Sequence, residues 1–286
     1  MDLKIDSHTQ LYGIFGNPVE HSLSPTLHNF VFKKLGMNAV YLAFKIAPES
    51  LQFAIEGMRS LSMHGINITI PFKEDALNYV DEVPEDIDRL TGAINTIVQK
   101  DGQLFGYNTD GPGLLAALQS ELSFKPSGKD ILILGAGGAA RGALFALARA
   151  GAERIFLHNR TLGRAHGLAE YAATHFPETE IAAVASFADL PAKRMDLVVN
   201  CTPCGMRKNH DLPMDWKEIK PPIAAYDLVY TPQETPWLRE AKKLGIPCAN
   251  GLGMLTEQAA LSFQLWTGKK EGVREAMKEA AALCKL

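Results

Sequence analysis

The stretch Ile131-Leu-Ile-Leu-Gly-Ala-Gly-Gly-Ala-Ala-Arg141 constrains this chain more than any other. Four apolar residues read as a buried strand, a glycine-rich turn follows, and a helix rich in alanine and leucine runs over 139–149. Strand, tight turn and helix start in that order make a pyrophosphate site. Gly135 can take the turn geometry, Gly137 lets the backbone approach the phosphates, and the first helical amides point at negative charge. The last small position is Ala140 where the pattern often has glycine, which the fingerprint allows. The flanking strand and helix separate this stretch from an ordinary glycine-rich turn. The loop starts near mid-chain, so something else occupies the first half.

A chain of 286 residues is long for one core, and two domains are expected. Apolar residues at 47% and charged residues at 21% are ordinary for a soluble globular protein. The formal net charge of -3 argues against a general nucleic-acid binder, though not against a local cationic pocket. No apolar run approaches the ~20 residues needed to span a bilayer, so no membrane partner is expected. The polar opening Met1-Asp-Leu-Lys-Ile-Asp fits neither a signal nor a transit peptide, which makes a cytoplasmic enzyme the expectation. Cys201-Thr-Pro-Cys204 has redox-motif spacing, but no second close pair completes a zinc site. Small thiols in a reducing compartment explain the four cysteines as well. The eight histidines, His21, His28 and His64 among them, are scattered, and no His/Cys/Asp cluster has ligand spacing, so no metal is expected.

The first half alternates strands at 11–15, 40–46 and 65–70 with helices over 25–35 and 48–61. A hairpin of 94–98 and 104–107 turns at Asp101-Gly102. Such alternation argues for a mostly parallel sheet covered by helices. The second series has strands at 131–134, 154–158, 181–184, 197–199, 224–228 and 246–249, with helices near 139–149, 162–174 and 235–244. This is the pattern of a doubly wound nucleotide-binding domain. Two closing helices, 254–267 and 270–284, are free to pack back on the first domain. The expected fold is α/β with two domains. Residues 1–110 plus 254–286 form an N-terminal α/β substrate domain, and 111–253 a Rossmann-like doubly wound dinucleotide-binding domain. Hinges are expected near Asp110-Gly111 and Asn250-Gly251.

The end of the second strand of that domain speaks to the cofactor. NAD is usually met there by an acid about 20 residues past the glycines. This chain instead reads Phe156-Leu-His-Asn-Arg-Thr161, with Arg164 shortly after. Arg160 and Arg164 can clamp a 2′-phosphate through planar, bidentate bonds, and Asn159 and Thr161 can add neutral ones. The alternative is a solvated helix start with incidental arginines; the pattern favours NADP.

Three polar sets upstream suit the chemistry. In Asn17-Pro-Val-Glu-His-Ser22-Leu-Ser24-Pro, two hydroxyls two residues apart suit a carboxylate, and Ser24 also suits an N-cap for the helix at Pro25. In Asn67-Ile-Thr69-Ile-Pro-Phe-Lys73, Asn67 and Thr69 share one strand face, with Ile66, Ile68 and Ile70 on the other. Inward polar side chains are costly unless paired, and Lys73 follows at the strand's C-terminal end, where such sheets hold ligands. The third set is Asn95 with Asn108-Thr-Asp110-Gly-Pro. Asp110 reads as a turn or helix cap, or as a carboxylate holding a lysine ammonium in a general acid/base pair.

These residues, in this order, resemble the shikimate dehydrogenase family over essentially the whole chain. The resemblance rests on Ser22-Leu-Ser24-Pro, Asn67-Ile-Thr69-Ile-Pro-Phe-Lys73, Gly92-Ala-Ile-Asn95-Thr, Asn108-Thr-Asp110-Gly, Gly135-Ala-Gly-Gly-Ala139, Asn159-Arg-Thr161, Asn200-Cys-Thr202, Tyr226-Asp-Leu-Val-Tyr230 and Gly251-Leu-Gly-Met-Leu-Thr-Glu-Gln258. It implies reversible NADPH-dependent reduction of 3-dehydroshikimate to shikimate, on the route to chorismate and aromatic amino acids. By the same resemblance Ser22 and Ser24 bind the substrate carboxylate, and Asn67, Thr69, Asn95, Asp110 and Gln258 hold the ring hydroxyls. Lys73 is the implied acid/base beside Asp110, and Tyr230 reaches the substrate from the cofactor side. Gly135, Ala136, Gly137, Gly138, Ala139, Asn159, Arg160, Thr161, Arg164, Leu228 and Gly251 line the implied cofactor site. Cys201 and Cys204 fall in the loop near the nicotinamide, where no disulfide is expected. The implied partner is a small molecule, and the implied assembly a monomer or homodimer. A quinate/shikimate dehydrogenase of dual specificity is the near alternative. A ligand sensor that kept the fold is the distant one, and Lys73 with Asp110 argues against it.

Overall fold

Three apolar stretches of the first half pair as parallel strands: β1 (Gln10–Gly16), β2 (Ala39–Lys45) and β3 (Gly65–Ile68). The structure is a computed structural model that describes residues 5–191, 194–206 and 211–284; residues 1–4 of the polar opening segment lie outside that range. By contact the chain divides into two compact units, residues up to Asp110 with those from Thr256 onward, and Gly111–Leu255.

In the first unit β1 is followed by α1 (Ser24–Lys34), and β2 by a 3-10 turn, Pro48–Ser50, that leads into α2 (Leu51–Ser60). A short helix α3 (Asp86–Thr91) precedes the hairpin of β4 (Thr96–Lys100) and β5 (Gln103–Tyr107). The strand order is β2-β1-β3-β4-β5. The sheet is mixed: four strands point one way and β4 alone is reversed, antiparallel to both β3 and β5. The tight turn explains this: Asp101 and Gly102 both have positive φ, 52° and 80°, the twist that joins antiparallel neighbours directly. Leu51, Ile55 and Met58 of α2 bury in one cluster with Phe15, Ile66, Ile68, Ile97 and Leu104. Two local expectations fail. Ser24 does not cap α1, since the N-cap position falls on Leu23 with no side-chain bond. Ile70 is 68% exposed, because the ladder of β3 stops at Ile68 and the alternation stops with it.

The second unit opens inside α4 (Asp110–Leu122), a helix not expected from the sequence, whose first residue belongs to the first unit. Gly111, Pro112 and Gly113 hide it, yet proline costs little in a first turn, where its missing N–H has no partner to lose. Then come β6 (Asp130–Leu134), α5 (Gly138–Arg149), β7 (Arg154–His158), α6 (Leu162–Ala173), β8 (Glu180–Ala183), β9 (Leu197–Asn200), β10 (Ala224–Asp227), α7 (Pro236–Lys243) and β11 (Cys248–Asn250). All six strands are parallel, in the order β11-β10-β9-β6-β7-β8. Residues Ile131 to Leu134 of β6 are buried, as a parallel strand covered on both faces requires. Arg154 fixes the starts of β6 and β7 with a bidentate grip on Asp130, at 2.7 and 2.8 Å.

Two helices close the chain, α8 (Leu252–Thr267) and α9 (Val273–Leu283), and no strand follows them among the described residues. From Thr256 onward they belong with the first unit, and α9 packs on α1. Trp266 Nε1 donates to the carbonyl of Ile97 at 3.0 Å. Gly65 makes room for that indole, which a Cβ on Gly65 would overlap. The buried carboxylate of Glu257 ties α8 to α9 through Arg274 and Lys278, at 3.0 and 3.1 Å.

Candidate active site

In the first unit the polar residues converge on one buried network. Lys73 follows β3 and its Nζ donates to Asp110 Oδ2 at 2.5 Å. Both side chains keep partial solvent contact, 32% and 20%. The pair is thus reachable by a small ligand and still partly screened from water. Asn95, just before β4, donates from Nδ2 to Asp110 Oδ1 and to Thr109 Oγ1, both at 2.9 Å, and to Gln258 Oε1 at 3.3 Å. An amide nitrogen has two hydrogens for these three acceptors, and the charged oxygen takes one of them. The Asn95 Oδ1 end is held by the Thr109 amide at 2.8 Å. Asn108 orients the start of α4: its Oδ1 accepts from the Asp110 amide at 3.0 Å.

Asn67, on β3, is 5% exposed and satisfied on both sides. Its Oδ1 accepts from the Tyr41 hydroxyl at 2.7 Å, and its Nδ2 donates to the Asn95 carbonyl, Thr96 Oγ1 and Ser262 Oγ at 3.1–3.2 Å. Tyr41 also shares a hydrogen bond with the Ser24 side chain, and burial pushes its phenol well above the usual range. Ser22 Oγ accepts from the Ser24 amide at 3.2 Å, which leaves the Ser22 O–H free to donate outward. Thr69 is half-buried and bound through its amide to the Phe15 carbonyl. The network therefore joins Ser24, Asn67, Asn95, Asp110, Lys73 and Gln258, with Ser22 attached through the Ser24 amide, whereas the backbone bonds of Thr69 run to Phe15 and Phe72 outside it. Four of its members, Tyr41, Thr96, Thr109 and Ser262, are not among the residues the sequence singles out. Thr96 and Thr109 carried a signal, as the end of Gly92-Ala-Ile-Asn95-Thr and the middle of Asn108-Thr-Asp110; Tyr41 and Ser262 sit on ordinary amphipathic patterns.

In the second unit the glycine loop runs from β6 into α5. Gly135 has φ +115°, a conformation that favours glycine, and a Cβ there would stand 3.3 Å from Cys201 and Thr202. Gly137 is the N-cap of α5 and no side chain caps that helix, so the first amides have no internal acceptor there. A Cβ on Gly137 or Gly138 would meet nothing of the protein within 4 Å. Internal packing does not demand glycine at these two positions, whereas close approach of a pyrophosphate does. Ala136 is half-buried and Ala139 exposed in the same loop. Asn159, after β7, turns its Nδ2 to the Thr161 carbonyl at 2.9 Å. Arg160, Thr161 and Arg164 are exposed, and among the described residues neither arginine forms an ion pair. This set fits a dinucleotide bearing a 2′-phosphate: helix amides for the pyrophosphate and two uncommitted guanidinium groups for the phosphate.

Leu228 and Tyr230 follow β10, and burial pushes the Tyr230 phenol up. Gly251 backs onto the Leu228 carbonyl so closely that any Cβ would collide with it. The glycine expected as a hinge thus has a packing reason of its own. Cys201 and Cys204 are free, and burial, reinforced by the Asp227 charge, pushes the Cys201 thiol up, away from the thiolate a redox pair needs. Among the described residues no group of His, Cys, Asp and Glu could hold a metal ion, and no helix is long and apolar enough to cross a membrane.

Three family models match the chain. Residues 14–97 match the shikimate dehydrogenase substrate binding domain, 117–205 the shikimate/quinate 5-dehydrogenase model, and 251–282 the shikimate 5′-dehydrogenase C-terminal domain. A shikimate dehydrogenase (NADP(+)) of Caldanaerobacter subterraneus is 42% identical over 272 residues, covering 93% of this chain and 95% of that one. A crystal structure of a shikimate dehydrogenase in complex with NADP+ superposes with a TM-score of 0.88 at 39% identity, covering 98% and 96% of the two chains. The Thermus thermophilus enzyme, in complex with NADP(H) and shikimate, gives 0.83 at 38% identity, covering 95% and 100%.

Proposed function

The chain belongs to the shikimate dehydrogenase family, and from that premise we propose that it catalyses the reversible NADPH-dependent reduction of 3-dehydroshikimate to shikimate. One observation carries the assignment of roles: Lys73 and Asp110 meet at 2.5 Å inside a network that fixes both. Reduction of a ketone builds negative charge on its oxygen, which needs a proton and a nearby cation. Lys73, as an ammonium oriented by Asp110, offers both, and in the oxidative direction it accepts the hydroxyl proton. NADP supplies hydride chemistry when bound. Gly135 to Ala139 and the first amides of α5 would hold its pyrophosphate, and Asn159, Arg160, Thr161 and Arg164 its 2′-phosphate. Leu228, Tyr230 and Gly251 would complete that side. Ser22 and Ser24 would take the substrate carboxylate, and Asn67, Thr69, Asn95, Asp110 and Gln258 its ring hydroxyls. In this reading 1–110 plus 254–286 is the substrate domain and 111–253 the cofactor domain. The protein works in the cytoplasm on a small molecule, as a monomer or homodimer.

Initial rates of oxidation with shikimate or quinate, each with NADP or NAD, test the reading. Shikimate with NADP is expected to be the best of the four pairs by a wide margin. Efficient quinate oxidation with NAD would overturn both the substrate and the cofactor assigned.

A further inference from the structure

The carboxylate of Asp227 has no part in the chemistry above, yet three hydrogen-bond donors anchor it. It is fully buried at the end of β10. Three donors from three segments reach it. Asn200 Nδ2, at the end of β9, and the Val229 amide, in the loop after β10, donate to Oδ1 at 2.8 and 3.0 Å. Thr235 Oγ1, at the N-cap of α7, donates to Oδ2 at 2.7 Å. Burial pushes this carboxyl up to about 6, and the three bonds hold it from rising further. A buried charge with several donors is costly to displace, because each donor would lose its partner in a low-dielectric setting.

From Asp227 the bonds run outward to the loops. Asn200 Oδ1 accepts from the Thr202 amide at 3.0 Å and from its hydroxyl at 2.6 Å. Thr202 and Cys201 in turn stand against Gly135 of the glycine loop. Val229 leads directly to Tyr230, and Thr235 also takes the Leu238 amide to start α7. One carboxylate thus fixes the loops after β9 and β10 against the loop after β6. The strand order gives those loops their meaning. The sheet reverses at β6, where a dinucleotide straddles the crevice. Arg160 and Arg164 follow β7 on one side, and a 2′-phosphate belongs to the adenosine half. That leaves the nicotinamide half to the β9 and β10 side.

We propose that Asp227 is a positioning residue for the nicotinamide half of NADP(H), acting through Asn200 and the loops after β9 and β10. The proposal rests on the NADP reading above. Asp227→Asn, nearly isosteric, aims a donor at groups that are themselves donors. Two probes separate the halves: NADPH, and 2′-phospho-ADP-ribose, which lacks the nicotinamide. In the variant NADPH affinity is expected to fall about tenfold or more, the scale of one lost charge-assisted bond. Binding of 2′-phospho-ADP-ribose and KM for shikimate should stay within about twofold, the scale of a rim effect. The exchange Asn200→Asp with Asp227→Asn restores a carboxylate–amide pair but leaves the Val229 amide facing an N–H, so it is expected to recover part of the loss. If Asp227→Asn does not fold, Thr235→Val keeps the carboxylate, removes its Oδ2 partner, and is expected to split the two probes in the same direction. Parallel losses for both probes would show a merely structural role and overturn the proposal, as would unchanged NADPH binding. Wild-type protein that binds neither probe would overturn the cofactor reading, and this inference with it.

Discussion

His28, stacked on the Tyr41 ring that bonds Asn67, makes the first unit sensitive to acid. It lies on the buried face of α1, is fully buried, and neither ring nitrogen has a hydrogen-bond partner. Its ring stacks on Tyr41 at 4.5 Å and 9°, and Trp266 lies 5.1 Å away. Burial lowers its pKa from 6.5 to about 3. The unfolded chain takes up this proton near pH 6.5, while the folded chain refuses it until near pH 3. Stability is therefore highest above 6.5 and is lost as pH falls through that window. At about 1.4 kcal/mol per pH unit, the loss at pH 5 is roughly 2 kcal/mol. Replacing the ring by an apolar side chain, His28→Leu, removes this contribution whatever it does to packing. Urea unfolding of both proteins, followed by tryptophan fluorescence at about pH 7.5 and about pH 5, gives the test. The gap between wild type and variant should move by roughly 2 kcal/mol in favour of the variant at the lower pH. Comparing the two proteins cancels every other titrating group, including Asp227, whose raised pKa acts in the opposite direction. If the two stability curves run parallel between those pH values, His28 is not the buried neutral base described here.

Two further outcomes test the site. Lys73→Ala is expected to lower turnover by about 10²–10⁴-fold while KM for shikimate changes far less, as loss of a proton donor does; near-normal turnover would refute the acid/base role. Arg160→Ser and Arg164→Ser should each raise KM for NADP by about tenfold and leave KM for NAD unchanged, since a charge-assisted bond to the 2′-phosphate is lost only with NADP. Equal effects on the two cofactors would mean that the arginines do not read that phosphate.

The residues at strand ends were legible because open α/β sheets hold ligands there, so Lys73, Gly135 and Arg160 announce themselves by position. Their supports were not. Tyr41 meets Asn67 across 26 residues of sequence, and Ser262 meets it across 195. No local period encodes such a contact. The helix α4 was hidden by its own first turn, where glycine and proline read as punctuation although both are tolerated there. Ile70 misled in the other direction. Alternation continues in the sequence past Ile68, but a side chain faces a core only while the strand pairing lasts.

The polar face of β3 shows why so many side chains gather around so small a ligand. An asparagine in an apolar strand costs stability unless its amide is paired. Here Asn67 is paired by its own chain at both ends, and only the second lone pair of Oδ1 remains for a ligand. Asn95 is likewise clamped at Oδ1 by Thr109 while its Nδ2 braces Asp110. A side chain held in this way cannot reorient when a substrate arrives, so the ordering has been met in folding rather than in binding. The same bracing is found in the second unit, where Asp227 and Asn200 fix the loops after β9 and β10. The residues that make contact can therefore be few, and Lys73, set 2.5 Å from Asp110, can be aimed at one oxygen.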